Sequence, residues 1–314
     1  MYPGLLAYGF AVLMDGSLRL PSALHPVAWF GRLAERLIRW APASGRVPSG
    51  LYGLALAVAL PSLAAHGTAR VLGASERWPA PLSVTIEALL LYCCVCLYGL
   101  LDAARQLERA LRADDLGLAR ERLRWLCSRD PSGLPASALA NGGIESLAEN
   151  LSDSVVAPLF YLACFGLPGA VAYRAINTLD AMIGYRDRYE WLGKAAARLD
   201  DLANFVPARL TALLLAAVSC SFGKRARMSL RRGLAVWRAD RKRTPSPNGG
   251  HPMAMAAGIL GVRLDKPGSY VLGASLAAPQ CDDIDRALAL SARAGRLALL
   301  LTAAWLVLRG GQLV

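Results

Sequence analysis

Acidic side chains recur at helical spacing in the segment IESLAENLSDSVVAP, residues 144–158. At 100° per residue, Glu145, Glu149 and Ser152 fall on one stripe of a helix, with Asp153 at its edge. Two i,i+4 pairs of like charge result, and each destabilises a bare helix by about 0.2–0.5 kcal/mol. A hard cation such as Mg²⁺, or arginines facing the stripe, would remove that penalty. The spacing therefore predicts either a magnesium site or a solvated acidic face.

Two more polar runs follow, INTLDAMIGYRDRY at 176–189 and ARLDDLANFVPAR at 197–209. On helices, Asp180 lies on one stripe with Asn177, and Asp200 is i,i+4 to Asn204. Arg198 reaches Asp201 at i+3, which is either an ordinary helix ion pair or part of a site. Polar groups beside apolar segments are costly to bury, so we expect these runs to serve a function.

Two further stretches offer groups that bind anions. One is RDPSG at 129–133, and the other is TPSPNGGHP at 244–252, which has too much Pro and Gly for a helix. The second could present Ser246, Asn248 and glycine amides to a phosphate, or it could be a plain connector. His25, before Pro26, is either a functional base or a packed histidine.

The composition is that of a membrane protein. Of the 314 residues, 55% are hydrophobic and 18% charged, and the mean hydropathy is +0.35. The net charge of +12 suits cytoplasmic loops and anionic lipid. Because the arginines are dispersed and no nucleic-acid motif is present, we expect no nucleic-acid partner. No CxxC pair occurs and there are three histidines, which makes a zinc site improbable.

These runs must be held by helices in a bilayer. We predict an all-α, polytopic membrane protein with four to five embedded segments and amphipathic cytoplasmic helices. Arginine-rich residues 103–129 are the clearest cytoplasmic stretch. The candidate spans are residues 51–72 (interrupted by Pro61 and His66), 82–101, 155–172, 208–222 and 297–308.

The segment 155–172 bears on topology because GLPG at 166–169 breaks it. If this segment crossed the bilayer once, the acidic run before it and the NTLD run after it would lie on opposite sides. We therefore favour a broken, re-entrant hairpin that returns the chain to the same face. The acidic runs are then expected to meet in one pocket at the inner boundary of the membrane.

Five motifs in this order resemble the adenosylcobinamide-phosphate synthase family, also called CobD or CbiB. They are RDPSG, ESLAENLSDSVVAPLFY, NTLDAMIGYRDRY, ARLDDLANFVPARLTALLLA and SPNGGHPMAMAAGILGVRL. The likeness covers about residues 10–270 and predicts one integral membrane domain over residues 1–314. The family's ENTSDG motif differs here, with Leu151 and Ser154 in place of its threonine and glycine.

The resemblance implies a reaction of cobalamin biosynthesis. Adenosylcobyric acid would be joined by an amide bond to (R)-1-amino-2-propanol O-2-phosphate, or to a related amino alcohol phosphate, giving adenosylcobinamide phosphate. It also implies ATP and Mg²⁺ as cofactors and the inner cell membrane as the location, with the active site facing the cytoplasm. Other cobalamin-assembly enzymes are further expected partners. No P-loop motif locates the nucleotide.

Residue types then suggest roles for this amide ligation. Phosphate oxygens and Mg²⁺ would be held by carboxylates, and the neutral amine requires a proton acceptor. The predicted catalytic residues are Glu149, Asp180 and Asp200, and the predicted metal ligands are Glu145, Glu149 and Asp153. The predicted substrate-binding residues are Arg129, Asn150, Asn177, Arg186, Arg209, Ser246 and Asn248.

Two other functions compete with this one. A corrinoid transporter or non-catalytic binding protein would also have broken helices and intramembrane polar residues. The absence of an inverted repeat speaks against it. A phosphotransferase of the CDP-alcohol type would require a spaced DG…AR…G…D…D run, which Asp15-Gly16 does not continue.

Overall fold

The computed structural model describes residues 3–18, 20, 21, 23, 25–42, 45–127, 130–185, 189–220 and 226–313. Most of this chain is helical, and a two-stranded antiparallel hairpin pairs Leu264 with Leu272. The elements are α1 (Pro3–Ser17), α2 (Pro26–Ile38), α3 (Arg46–Ser75), α4 (Ala80–Cys94), α5 (Leu97–Arg112), α6 (Leu116–Arg124), α7 (Ala136–Leu151), a π-helical turn (Ser152–Val156), α8 (Ala157–Ile183), α9 (Lys194–Ala203), α10 (Phe205–Ser219), α11 (Ala226–Asp240), α12 (Gly250–Leu260), β1 (Leu264–Lys266), β2 (Tyr270–Leu272) and α13 (Cys281–Leu308).

The fold is that of an all-α polytopic membrane protein, as the composition predicted. Within the described residues, three helical runs are long and apolar enough to cross a bilayer: α3, the run Ala136–Ile183 and α13. The number rises to five if two bent pairs each form one span. These pairs are α4 with α5, bent by 42°, and α9 with α10, bent by 45°.

Three predicted spans have different boundaries in the structure. Pro61 does not interrupt its segment, because α3 continues through it for 30 residues. The segment 82–101 is broken instead, since Val95 is extended at φ −110° and ψ 128° between α4 and α5. Residues 297–308 are the final part of α13, whose polar first turns begin at Cys281.

Contacts divide the chain into two compact units that are interleaved in sequence. The first unit contains residues 1–96, 157–204 and 300–314, and the second contains 97–156 and 205–299. The expectation of a single domain over residues 1–314 stays a prediction.

In the first unit, α3 packs against α8 and α9, and α1 packs against α4. One apolar cluster joins Leu56 and Leu60 of α3 to Leu179 and Ile183 of α8. Leu192 closes the cluster, and its backbone lies directly on Gly53, where no larger residue would fit. Burial of these side chains fixes α8, and with it the polar residues on its other face.

A sharp reversal divides α8 at the GLPG segment. Gly166 has φ 67° and ψ −168°, which L-residues with a side chain rarely adopt, and Pro168 follows. The rings of Tyr161 and Tyr173 stack with centroids 5.2 Å apart, whereas twelve residues of straight helix would separate them by about 18 Å. A β-carbon on Gly169 would lie 2.9 Å from the Tyr161 carbonyl oxygen. The predicted break in this segment is therefore confirmed, and the two limbs form a helical hairpin.

The end of α13 and the residues after it complete the first unit. The Leu167 backbone N–H donates to the Leu313 carbonyl at 2.6 Å, and the Trp305 indole donates to Ala163 at 3.0 Å. Because Gly166 leaves helical geometry, Leu167 lacks the usual acceptor four residues earlier. Leu313 supplies that acceptor from the far end of the sequence.

In the second unit, α11 and α12 pack closely through two glycines. A β-carbon on Gly258 would lie 2.7 Å from both the Gly233 α-carbon and the Arg232 carbonyl oxygen. The helix α12 ends at Gly261, which is left-handed at φ 77° and ψ 35°. Asn141 of α7 exchanges two hydrogen bonds with the backbone of Asp265, 2.8 and 3.0 Å, which attaches β1 to α7. These contacts position the loop between α11 and α12.

Candidate functional site

The acidic stripe lies at the junction of α7 and the π-helical turn. Glu145 is buried at 5% exposure, whereas Glu149 is exposed and Asp153 is half-buried. The π turn begins at Ser152, so the i→i+4 spacing that placed Asp153 in line with Glu149 does not continue there. Single π turns are frequent at functional sites, and this one follows directly on the predicted metal ligands.

The predicted metal set does not assemble into a three-ligand cluster. Among the described residues, no group of three or more His, Cys, Asp or Glu side chains is arranged to hold a metal ion. Mg²⁺ is commonly bound by one or two carboxylates together with substrate phosphates. Glu145, Glu149 and Asp153 therefore stay predictions as metal ligands, and a phosphate would have to supply the remaining oxygens.

The loop between α11 and α12 is an ordered part of the second unit. Thr244 Oγ1 donates to the Ser246 carbonyl at 2.7 Å, and the Asn248 N–H donates to Ser246 Oγ at 3.2 Å. The Asn248 carbonyl then accepts from the His251 N–H at 2.9 Å, where α12 begins. Asn248 is buried and Gly250 packs on the Arg241 backbone. A loop built in this way offers fixed groups to a ligand.

Two arginines flank this loop. Arg209 Nη1 donates to Asn248 Oδ1 at 3.3 Å, and its guanidinium lies 3.6 Å from the centroid of the Phe205 ring. The Arg241 guanidinium stands 4.6 Å from the Trp237 ring. Stacking on an aromatic face orients a guanidinium. In both arginines Nη1 also donates to a backbone carbonyl of the preceding helical turn, Phe205 for Arg209 and Arg238 for Arg241. Arg209, Ser246 and Asn248 of the predicted substrate-binding set therefore lie together.

His251 adds a buried imidazole to the same cluster. Its ring meets Trp237 edge-on with centroids 5.6 Å apart. Burial, together with the positive charges of Arg209, Arg241 and Lys242, lowers the pKa of His251 to about 4. The ring is therefore neutral at pH 7, when each ring nitrogen can donate or accept one hydrogen bond.

Two buried nitrogens of this cluster have no hydrogen-bond partner among the described residues. They are His251 Nδ1 and Trp237 Nε1. Unsatisfied buried polar atoms are rare in native proteins and are expected to meet a water or a ligand. These two nitrogens lie beside Arg209, Arg241 and the amino end of α12. Together these groups favour binding of a ligand that has several hydrogen-bond acceptor oxygens.

Glu149 brings a negative charge to this loop. A β-carbon on Gly249 would lie 2.9 Å from Glu149 Oε1, so the carboxylate packs on the glycine. The Arg209 guanidinium thus contacts the loop at Asn248, and the Glu149 carboxylate contacts it at the adjacent Gly249. We name residues 244–251 with Glu149, Arg209, Trp237 and Arg241 the loop site.

A second polar cluster lies in the first unit. Asp200 accepts hydrogen bonds from Asn204 Nδ2 at 3.0 Å and from Asn177 Nδ2 at 3.4 Å. The buried Tyr173 hydroxyl donates to Asn204 Oδ1 at 2.9 Å. The Tyr161 hydroxyl donates to the Ala203 carbonyl at 3.1 Å. The predicted Asp200–Asn204 pair is thus confirmed, and the hairpin of α8 orients it. We name Tyr173, Asn177, Asp200 and Asn204 the amide–carboxylate network.

The other predicted site residues are distributed as follows. Asp180 is half-buried near the end of α8, where its carbonyl accepts from the Gly184 N–H at 2.7 Å. Asn150 on α7 donates to the Ser146 carbonyl at 3.0 Å, which is a helix contact. Arg129 and Arg186 lie outside the described residues. Arg198 forms the expected ion pair with Asp201, at 3.7 Å.

Sequence reasoning missed three members of the loop site: Trp237, Arg241 and His251. Arg241 was one of many arginines in a basic run, and Trp237 precedes the loop by seven residues. The signal that could have found His251 is its position directly after two glycines and before Pro252, at the start of a helix.

The fold and the loop site together define a class: a multi-pass α-helical membrane protein with a buried, cationic loop. Comparison with known families narrows this class. The family model described as "CobD/Cbib protein" matches residues 8–298, and the chain belongs to that family.

Curated relatives agree with the family match. A cobalamin biosynthesis protein CobD from Dehalococcoides mccartyi is 41% identical over 253 residues, 81% of each chain. The CobD of Rhodobacter capsulatus is 40% identical and covers 90% of this chain and 91% of its own. The CobD of Mycobacterium tuberculosis is 40% identical, covering 82% and 79%. No solved structure matches this chain. The protein is thus a cobalamin biosynthesis protein of the CobD/CbiB family.

Proposed function

We propose that this protein forms the amide bond between adenosylcobyric acid and an amino alcohol phosphate, (R)-1-amino-2-propanol O-2-phosphate or a close relative. The product would be adenosylcobinamide phosphate. Support comes from the family, whose curated relatives are named for cobalamin biosynthesis. The observation that carries the chemistry is the loop site, where two arginines, a helix start and two buried nitrogens surround one loop.

The loop site is proposed to bind the phosphate of the amino alcohol. Arg209 and Arg241 would donate to phosphate oxygens, as guanidinium groups do in two-pronged hydrogen bonding. Asn248 would orient Arg209, because its Oδ1 already accepts from that guanidinium. The neutral His251 ring can donate a hydrogen bond without adding a charge.

Mg²⁺ and ATP are proposed as cofactors on the strength of the resemblance. Glu149 fits the ion in part, because it is exposed beside the loop and one carboxylate plus phosphate oxygens is a usual Mg²⁺ environment. When bound, the ion would neutralise phosphate charge. The energy for amide formation would come from cleavage of ATP. One oxygen of the substrate carboxylate would leave with the phosphate group, and the amine nitrogen would take its place on the carbonyl carbon.

The amine must lose a proton before it can attack the carboxylate carbon. Asp180 and Asp200 are the proposed acceptors. Asp200 is held by two asparagine amides in the amide–carboxylate network, which fixes the direction of its oxygens. A fixed carboxylate avoids reorganisation at the moment of proton transfer.

We place the protein in the cytoplasmic membrane with the active site facing the cytoplasm. The support is the arginine content of α5 and α6, which carry Arg105, Arg109, Arg112, Arg120, Arg122 and Arg124.

The assay uses the purified protein with adenosylcobyric acid, aminopropanol phosphate, ATP and Mg²⁺, and it detects the amide product by mass spectrometry. We expect Arg209→Gln to raise the KM for aminopropanol phosphate at least tenfold, since a charge-assisted phosphate contact contributes about 1.5–3 kcal/mol. The matched control is Arg238→Gln, which removes an exposed arginine of α11. It should leave the KM unchanged.

Two results would count against the proposal. No product from folded wild-type protein, with uptake of the corrinoid into sealed vesicles, would favour a transporter. If Arg209→Gln and Arg238→Gln have equal KM values for aminopropanol phosphate, the loop site does not bind the phosphate of this substrate.

A further inference from the structure

The first unit contains a small cavity whose walls are mostly apolar, in contrast to the cationic loop site. It has a volume of about 210 Å³ and lies between α2, α3, α4 and α8. Apolar and thiol side chains form most of its lining, among them Phe30, Leu90, Cys93 and Val171. One charged residue, Arg174 of α8, lines it as well.

Arg174 is an unusual member of this wall. Its Nε is buried and has no hydrogen-bond partner among the described residues. Among the described residues that line the cavity, none is acidic. A guanidinium whose Nε faces low-polarity walls is unfavourable unless an anion accompanies it. Arg174 also lies within a helical run long enough to span a membrane, where an ionisable residue points to a function.

The surroundings restrict what the anion can be. Because the lining that the structure describes contains no carboxylate, a zwitterion such as an amino alcohol phosphate would leave its ammonium group without a partner there. The apolar walls suit methylene groups, and the volume is below the 300–1,000 Å³ or so of drug-sized sites. The cavity can therefore take an anionic head with a few carbon atoms, while a longer tail continues outside.

The neighbouring surface is suited to such a tail. Helix α2 exposes Trp29 and Leu33, and α3 exposes Leu63 close to the cavity residue Ala64. Amphipathic helices with aromatic residues lie at the membrane interface, and exposed leucines on a spanning helix face lipid chains.

We propose that this cavity binds the anionic head of a membrane amphiphile, a carboxylate or phosphate attached to an acyl chain, and that Arg174 is the residue that binds it. The planar guanidinium donates two parallel hydrogen bonds to either head. The bound lipid would fill the gap between the four helices and stabilise the first unit.

The test measures the thermal unfolding midpoint of delipidated protein in neutral detergent, with one amphiphile added at a time. Laurate and phosphatidylglycerol carry the two candidate heads, and methyl laurate and phosphatidylcholine are their counterparts without net charge. We expect laurate, phosphatidylglycerol or both to raise the midpoint, and the two counterparts to have no such effect. A response to laurate alone identifies a carboxylate head, and a response to phosphatidylglycerol alone identifies a phosphate head.

Variants tie the effect to the cavity. Arg174→Gln should weaken binding of the active amphiphile at least tenfold, as expected for loss of the cation that pairs with its head. Arg70→Gln removes an exposed arginine of α3 in the same unit and should bind as the wild type does. If Arg174→Gln does not fold, Ala64→Leu fills the cavity without removing the charge and should also abolish binding.

Other outcomes would overturn the proposal. Equal stabilisation of Arg174→Gln and Arg70→Gln would do so, as would equal effects of charged and uncharged amphiphiles on the wild type. Stabilisation by adenosylcobyric acid that requires Arg174, with no response to any lipid, would assign the cavity to a substrate instead.

Discussion

At the scale of single residues, the electrostatics of the loop site depend on a neutral histidine that is surrounded by cationic side chains. His251 is buried against Trp237, and Arg209, Arg241 and Lys242 add repulsion to any proton it might gain. The unfolded chain has an ordinary histidine pKa near 6.5, so it binds more protons than the folded protein below that pH. The contribution of this group to stability is therefore complete above about pH 6.5 and is lost as the pH falls toward about 4.

This predicts a specific acid sensitivity. We expect the unfolding midpoint of the wild type to fall between pH 7 and pH 5 by more than that of His251→Asn, because the asparagine does not titrate in this range. Thermal unfolding in one detergent at both pH values measures the difference. His66→Gln removes an exposed histidine and should retain the wild-type pH dependence. The same loss in His251→Asn as in the wild type would contradict the burial of a neutral ring.

Residue types and local spacing predicted part of the site. The Asp200–Asn204 hydrogen bond and the Arg198–Asp201 ion pair are both confirmed, because i,i+3 and i,i+4 neighbours depend only on the helix. The contact of His251 with Trp237 spans fourteen residues and a loop, so it depends on how α11 and α12 pack. Nothing in the periodicity of either helix specifies that contact.

At the scale of elements, the hairpin of α8 orients the amide–carboxylate network. Its reversal brings Tyr161 against Tyr173, and both hydroxyls then bond to groups at the end of α9. The sequence predicted this reversal because Gly and Pro are strong helix breakers. The break at Val95 and the π turn at Ser152 were not predicted, since neither has a glycine or proline to mark it.

Tyr173→Phe tests the network. The change removes the donor to Asn204 Oδ1 inside a buried cluster, and leaving a buried acceptor unsatisfied costs about 1–3 kcal/mol. We expect the free energy of unfolding in a detergent titration to fall by about that amount, with reduced amide formation because Asp200 loses its orientation. Tyr185→Phe removes an exposed hydroxyl and should change neither quantity. If the two variants behave alike, the network has no structural role.

At the scale of the whole molecule, composition was enough to predict a polytopic helical protein, and family motifs were enough to predict the family. The interleaving of two units was beyond sequence reasoning, because each unit unites separate segments, and the first joins residues 1–96 to residues 300–314. Such pairings depend on shape complementarity between helix faces rather than on any local pattern.

The topology of the first unit can be tested by cysteine labelling. The α8 hairpin reverses at Gly166 and stacks Tyr161 on Tyr173, so its second limb carries the chain back toward the side from which the first limb came. We therefore expect Tyr185→Cys to react with an impermeant maleimide from the cytoplasmic side, in inside-out vesicles. Trp78→Cys, in the turn between α3 and α4, should react from the opposite side.

For this labelling, both variants are made in a background with the exposed Cys164 and Cys220 replaced by serine. Labelling of Tyr185→Cys only from outside the cell would mean that α8 crosses the membrane once, and it would remove the basis for a cytoplasmic active site.

The hydrogen bond from Leu167 to Leu313 also has a consequence for biogenesis. A ribosome that adds about 5–20 residues per second makes residue 313 roughly 7–30 s after residue 167. Throughout that interval the tip of the hairpin holds an amide whose eventual partner does not yet exist, and hydrocarbon offers no substitute. This contact can therefore form only after translation has passed the last turns of α13 and reached Leu313.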